Sequence, residues 1–85
     1  MQEWRERVRP VRLENRFEFP DYATLRDFLD LAAEQSAKDD FYPDMGFGKD
    51  YVNITIHLDD GEEQLTESQY EFARQLDKLA EQVIS

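Results

Sequence analysis

Two eight-residue runs set a largely apolar face against a polar one at alternate positions, with Asn15 the one polar residue on the apolar side, and they limit what this chain can become. RLENRFEF at 12–19 sets Leu13, Asn15, Phe17 and Phe19 against Arg12, Glu14, Arg16 and Glu18. YVNITIHL at 51–58 sets Val52, Ile54, Ile56 and Leu58 against Tyr51, Asn53, Thr55 and His57. A period of two belongs to strands with one buried face, and that face needs a cover. From 22 to 38, Leu25, Phe28, Leu29, Ala32, Ala33 and Ser36 recur at helical spacing, with Arg26, Asp27, Asp30, Glu34 and Gln35 opposite. Pro20 and Asp21 open this helix, and Pro43, Gly46 and Gly48 break the pattern after it. DDGEEQ is a turn, and Thr66 with Gln69 forms a capping box for a last helix that buries Phe72, Ala73, Leu76, Ala80 and Val83.

With a short strand expected around Asp44–Phe47, the order is strand, helix, short strand, long strand, helix. It predicts an α+β fold, a small antiparallel sheet with helices packed on one face. A basic N-terminal segment, 1–11, precedes a single domain at 12–85. Only 40% of the residues are hydrophobic, so the core is thin and a homo-oligomer is expected.

The net charge of −10 is unevenly spread. Arg5, Arg7, Arg9, Arg12 and Arg16 against Glu3, Glu6 and Glu14 give residues 1–16 a balance of +2, and the rest carries −12. An acidic body repels phosphate backbones and anionic lipid, so neither nucleic acid nor membrane is an expected partner. The arginine-rich start is either a solvated leader or a dock for acidic groups. No cysteine is present, which excludes disulfides and thiolate sites. No apolar run approaches the roughly 18 residues of a membrane span, and MQEWRERVRP lacks a signal-peptide core, so a cytoplasmic location is expected.

The inventory of reactive groups is short. His57 is the only histidine. On a strand it shares a face with Asp59, a spacing that would let a carboxylate orient a general base, but no nucleophile adjoins it. The acid pairs Asp39–Asp40, Asp59–Asp60 and Glu62–Glu63 flank turns without the ligand spacing of a calcium loop, so no metal site is assigned. Gly46-Phe47-Gly48 lacks the lysine-serine end of a phosphate loop.

At Lys38–Asp44 and its flanks the chain resembles the pterin-4a-carbinolamine dehydratases. Phe17-Glu18-Phe19, Asp21-Tyr22, Phe28, Ala33, Pro43-Asp44, Val52 and Leu65-Thr66-Glu67 match that family's pattern over about 12–84, with one inserted residue before Leu65. The resemblance implies the family's catalytic histidines at three positions, which here hold Phe41, Tyr42 and Asp59. Those histidines move the protons that expel a hydroxyl from the pterin ring. Phenylalanine cannot do so, and each lost acid–base group typically costs about 10²–10⁴-fold. Arg9-Pro10, Arg12, Glu14, Arg16–Phe19, Tyr42-Pro43-Asp44, Phe47-Gly48 and Tyr51–Thr55 are closer to a divergent branch, the Rubisco assembly factors associated with α-carboxysomes.

That resemblance implies a non-catalytic, cofactor-free homodimeric chaperone acting on Rubisco large subunits. Its partner-binding residues on the former active-site face would be Tyr42, Asp44, Phe47, Lys49, Tyr51 and Asn53. Aromatic side chains on a rigid loop give large contact area at low entropic cost. Phe41 or Tyr42 could instead fill the vacated pocket as core. Two alternatives stand beside it: a dehydratase with residual activity using His57 and Asp59, and a dimerisation module that regulates another protein.

Overall fold

The computed structural model describes residues 4–8, 11–58 and 61–84. Its elements are β1 (Arg5–Val8), β2 (Val11–Glu18), α1 (Tyr22–Asp39), β3 (Asp44–Phe47), β4 (Tyr51–His57) and α2 (Glu67–Ile84). The strands form one antiparallel sheet in the order β1-β2-β4-β3. The two alternating runs are the central pair, in register from Arg12 opposite His57 to Glu18 opposite Tyr51. Their apolar residues fall on one face, where both helices cover them. Leu13, Phe17, Phe19, Val52, Ile54 and Ile56 pack with Leu25, Phe28 and Ala32 of α1 and Phe72, Ala73, Leu76 and Ala80 of α2. The α+β architecture read from the alternation is therefore present, and among the described residues the other sheet face carries no helix.

Local chemistry fixes the helix ends. The Asp21 carboxylate accepts from Thr24 N at 2.8 Å and caps α1. The capping box of α2 is complete: Thr66 N donates to Gln69 Oε1 at 2.9 Å, and Gln69 N donates to Thr66 Oγ1 at 3.2 Å. Gln69 is buried, and its Nε2 donates to the His57 carbonyl at 2.7 Å, tying the start of α2 to the end of β4.

Two expectations change. The predicted element order lacked β1, because Arg5–Val8 offers no apolar alternation; Val8 is its one apolar side chain and lies exposed. The strand exists because it pairs with β2 and its inward groups reach α2. Trp4 Nε1 donates to Asp77 Oδ1 at 3.0 Å, Tyr70 donates its hydroxyl proton to Glu6, and the Trp4 ring stands edge-on to Phe17. Ala33 is exposed rather than buried, because at 3.6 residues per turn it falls beyond the stripe centred on Leu25, Phe28, Ala32 and Ser36. Among the described residues no helix is long and apolar enough to cross a membrane.

The clasp between β1 and α2 should respond to pH. Burial pushes the Asp77 carboxyl above its ordinary 3.8, more than the Trp4 hydrogen bond lowers it, and Glu81 adds to the rise. A carboxyl whose pKa is higher folded than unfolded disfavours folding once ionised, so this clasp loses stability as pH climbs from the ordinary aspartate range through the raised value. Asp77→Asn keeps an oxygen for Trp4 and removes the charge. Its melting temperature should exceed that of the parent at pH 7, with the gap closing below about pH 4; thermal scans at both pH values check this.

Candidate functional site

The corner 40–48 that joins α1 to the β3–β4 hairpin is built from the end of the helix. Asp40 adopts a left-handed conformation (φ 52°) and its N–H bonds Ser36 O, while Phe41 N donates to the same carbonyl at 3.0 Å. This reversal brings Phe41 back onto α2, where its ring meets Phe72 edge-on, centroids 5.0 Å apart. The two rings belong to a cleft of about 620 Å³ between the end of α1 and the start of α2, which Gln69 also lines. Asp39, Asp40, Glu67, Ser68 and Glu71 complete its lining with Arg74, whose guanidinium is held by Glu71 at 2.9 Å and Glu67 at 3.8 Å. The cleft thus has an apolar ring pair and acidic walls, and its lining includes no histidine.

His57 lies elsewhere. It is exposed at the end of β4, on the helix-free face, and its Nε2 is 2.7 Å from Asp44 Oδ2 on β3. The carboxylate that meets His57 is therefore Asp44, brought across the hairpin by pairing, a contact the sequence reading did not anticipate. Asp59, the partner and degenerate position read from sequence, lies outside the described residues, as do Arg9 and Pro10.

The residues read as partner-binding all sit on or beside the β3–β4 hairpin, on two sides of it. Tyr42 is 69% exposed in the lead-in to β3. Asp44, Tyr51 and Asn53 share the helix-free face. Phe47, opposite buried Val52, shares the other side and is 56% exposed at the sheet edge. Lys49 is exposed in the connecting turn. Phe41 is half-buried against the core, so core filling describes it and not Tyr42.

Three features were not read from the sequence. The Tyr51 ring is held between Gly48 and the Arg16 guanidinium, whose Cζ stands 4.0 Å above the ring centroid. A Cβ at Gly48 would fall inside van der Waals contact of Tyr51 Cε1 and Cζ, so Gly48 is needed for close approach to a ring. Gly46, one of the residues that break the helical pattern, lies inside β3 opposite Asn53 with open space where a Cβ would go. The only sequence signal was a glycine three residues before a tyrosine. Gly48→Ala should push the ring off Arg16 and cost about 1 kcal/mol. Adding Arg16→Gln to it should cost little more, a non-additivity that a double-mutant cycle by urea denaturation would reveal.

A four-stranded antiparallel sheet under two helices, with a cleft where the helix ends meet, defines a small α+β class of fold. No protein-family model and no curated protein matches the chain. Solved structures do. A pterin dehydratase-like protein identified as a RuBisCO assembly factor in the alpha-carboxysome superposes with a TM-score of 0.83 at 39% identity, covering 92% of this chain and 89% of that one. A transcriptional coactivator/pterin dehydratase from Brucella melitensis superposes at 0.82 with 25% identity, over 91% of this chain and 81% of that one. The chain belongs to the pterin dehydratase-like family.

Proposed function

We propose that this protein is a Rubisco assembly factor of the α-carboxysome system that works by binding, with no cofactor and no turnover. The observation that carries this reading is the corner itself. At the two positions where the family resemblance implies a histidine pair, Phe41 is turned onto Phe72 and Tyr42 is left 69% exposed. One substitution closes apolar packing over the cleft and the other presents an aromatic to solvent. Neither supplies the imidazole of the family's histidine pair, and the lone histidine is paired with Asp44 outside the cleft. The 39% identity to a protein identified as an assembly factor supports the same reading.

The partner is the Rubisco large subunit, held by the exposed hairpin around Tyr42, Phe47 and Lys49 and by Asp44, Tyr51 and Asn53 on the helix-free face. The protein acts as a homodimer; β1 and β3 both end the sheet with unpaired edges, either of which a second copy can extend. It works in the cytoplasm and associates with the carboxysome. Co-expression of Rubisco large and small subunits with and without this protein tests the proposal, scored as assembled enzyme on a native gel. A higher yield in its presence is expected. An unchanged yield, together with measurable dehydration of a pterin carbinolamine that His57→Ala abolishes, would overturn it in favour of the enzyme.

A further inference from the structure

The helix-free face carries a second feature, separate from the aromatic hairpin. Strand register arranges its side chains in rows: Arg16 beside Asn53 and Gly46, then Arg5 beside Glu14, Thr55 and Asp44, then Arg7 beside Arg12 and His57. The single carboxylate at the centre, Glu14, is already engaged on both oxygens. Arg7 Nε bonds Oε1 at 3.0 Å and Arg12 Nε bonds Oε2 at 2.8 Å. The two guanidiniums hold the Glu14 carboxyl below the usual range, Arg12 foremost. Among the described residues neither Arg5 nor Arg16 has a carboxylate partner. Arg16 is instead fixed over the Tyr51 ring.

The cluster of Arg5, Arg7, Arg12, Arg16 and Glu14 carries +3 on a chain of net charge −10, which leaves −13 for everything else. A groove of about 540 Å³ runs over it, lined among others by Arg5, Arg7, Arg16, Asn53 and Thr55. Asn53 is paired on β3 with Gly46, which has no side chain to crowd that end of the row.

We infer that this groove binds a short, extended acidic segment of a partner protein, with carboxylates at alternate positions of the segment on Arg5 and Arg16. The spacing decides the chemistry. The rows of Arg5 and Arg16 are neighbours on one face, about 7 Å apart along the strands, and side chains two residues apart in an extended chain share a face at that same repeat. Guanidinium forks take carboxylates in two-point contact, and on β4 Asn53 beside Arg16 and Thr55 beside Glu14 add an amide and a hydroxyl to the same two rows. The basic area ends within about 14 Å, from the row of Arg16 to that of Arg12, or roughly four extended residues. Glu18 follows Arg16 on β2, and Asp44 stands at the β3 end of the Arg5 row, so a continuous phosphate backbone would run onto like charge. The inference goes beyond the assembly-factor reading and does not rest on it.

The probe is a capped hexapeptide, Gly-Glu-Ser-Glu-Ser-Gly, titrated into the full chain by amide NMR. Controls are its glutamine counterpart and a deoxythymidine hexamer. Saturable shifts centred on β1, β2 and Asn53 are expected, absent with the glutamine peptide. Arg5→Glu with Arg16→Glu should weaken binding about tenfold or more, and Lys78→Glu, half that change in charge on exposed α2, less than about twofold. Should the reversal variant misfold, Arg5→Gln with Arg16→Gln must still weaken binding severalfold. No saturable shift at millimolar peptide would overturn the inference, as would equal weakening by Lys78→Glu. Preference for the oligonucleotide would overturn it in favour of nucleic acid. Self-association abolished by the arginine variants, without peptide binding, would overturn it in favour of a second copy.

Discussion

Phe28→Ala is expected to cost about 3–5 kcal/mol, the range for removing a fully buried aromatic ring when the surroundings collapse only partly. Phe28 has no exposed surface, and its ring lies 5.2 Å from Phe17 and 5.1 Å from Phe19, so it is where α1 meets β2. Phe17 in turn carries Trp4 on its edge, so the void would reach the residue that anchors β1. At typical values per residue, a domain of 85 residues has about 4–13 kcal/mol in total. The loss is therefore roughly a quarter of the stability at least. A fall of roughly 12–40 °C in melting temperature follows, since each kcal/mol moves a domain of this size by about 4–8 °C. Circular dichroism at one fixed protein concentration checks it, because dimerisation would otherwise shift the midpoint. A loss under about 1 kcal/mol would mean that the core is organised elsewhere. Phe28→Leu, which keeps most of the volume, should cost much less.

The same residues show why the fold was legible and parts of the site were not. Phe17, Phe28, Val52 and Ile54 announce themselves because burial on one face imposes a period, and a period survives in a bare sequence. Thr66 and Gln69 are equally legible, since a capping box is a local exchange between residues three apart. β1 has neither signal. RERV is strand only because β2 offers it an edge and Trp4 and Glu6 find partners on α2, more than sixty positions away in sequence.

The pairing of His57 with Asp44 is of the same kind. A same-strand neighbour can be counted from sequence, whereas a cross-strand neighbour depends on a register that only the folded sheet sets. Arg5 and Arg16 illustrate the point for charge. In sequence they belong to an arginine-rich start, and only the β1–β2 register shows that Glu14 engages Arg7 and Arg12 and leaves those two over.

The second large effect concerns the aromatic hairpin. Tyr42→Ala combined with Phe47→Ala should return Rubisco yield in co-expression to the level without this protein, while its own melting temperature barely changes. The pair is chosen by exposure. Tyr42 and Phe47 are 69% and 56% exposed, so truncation removes little that the isolated chain buries. Tyr51, in contrast, is wedged between Gly48 and Arg16, and its loss would disturb the sheet face as well as any contact. Exposed aromatics at a protein interface can each be worth about 2 kcal/mol or more, so losing two weakens a complex by roughly three orders of magnitude if both contribute independently. Lys49→Ala, at the exposed turn beside them, should give an intermediate loss that grows smaller at high salt, since a rim charge is screened and a desolvated ring is not. Full yield from a folded double variant would move the partner surface off the hairpin. Partial yield that tracks the salt dependence of the lysine variant would assign the contact to charge rather than to the rings.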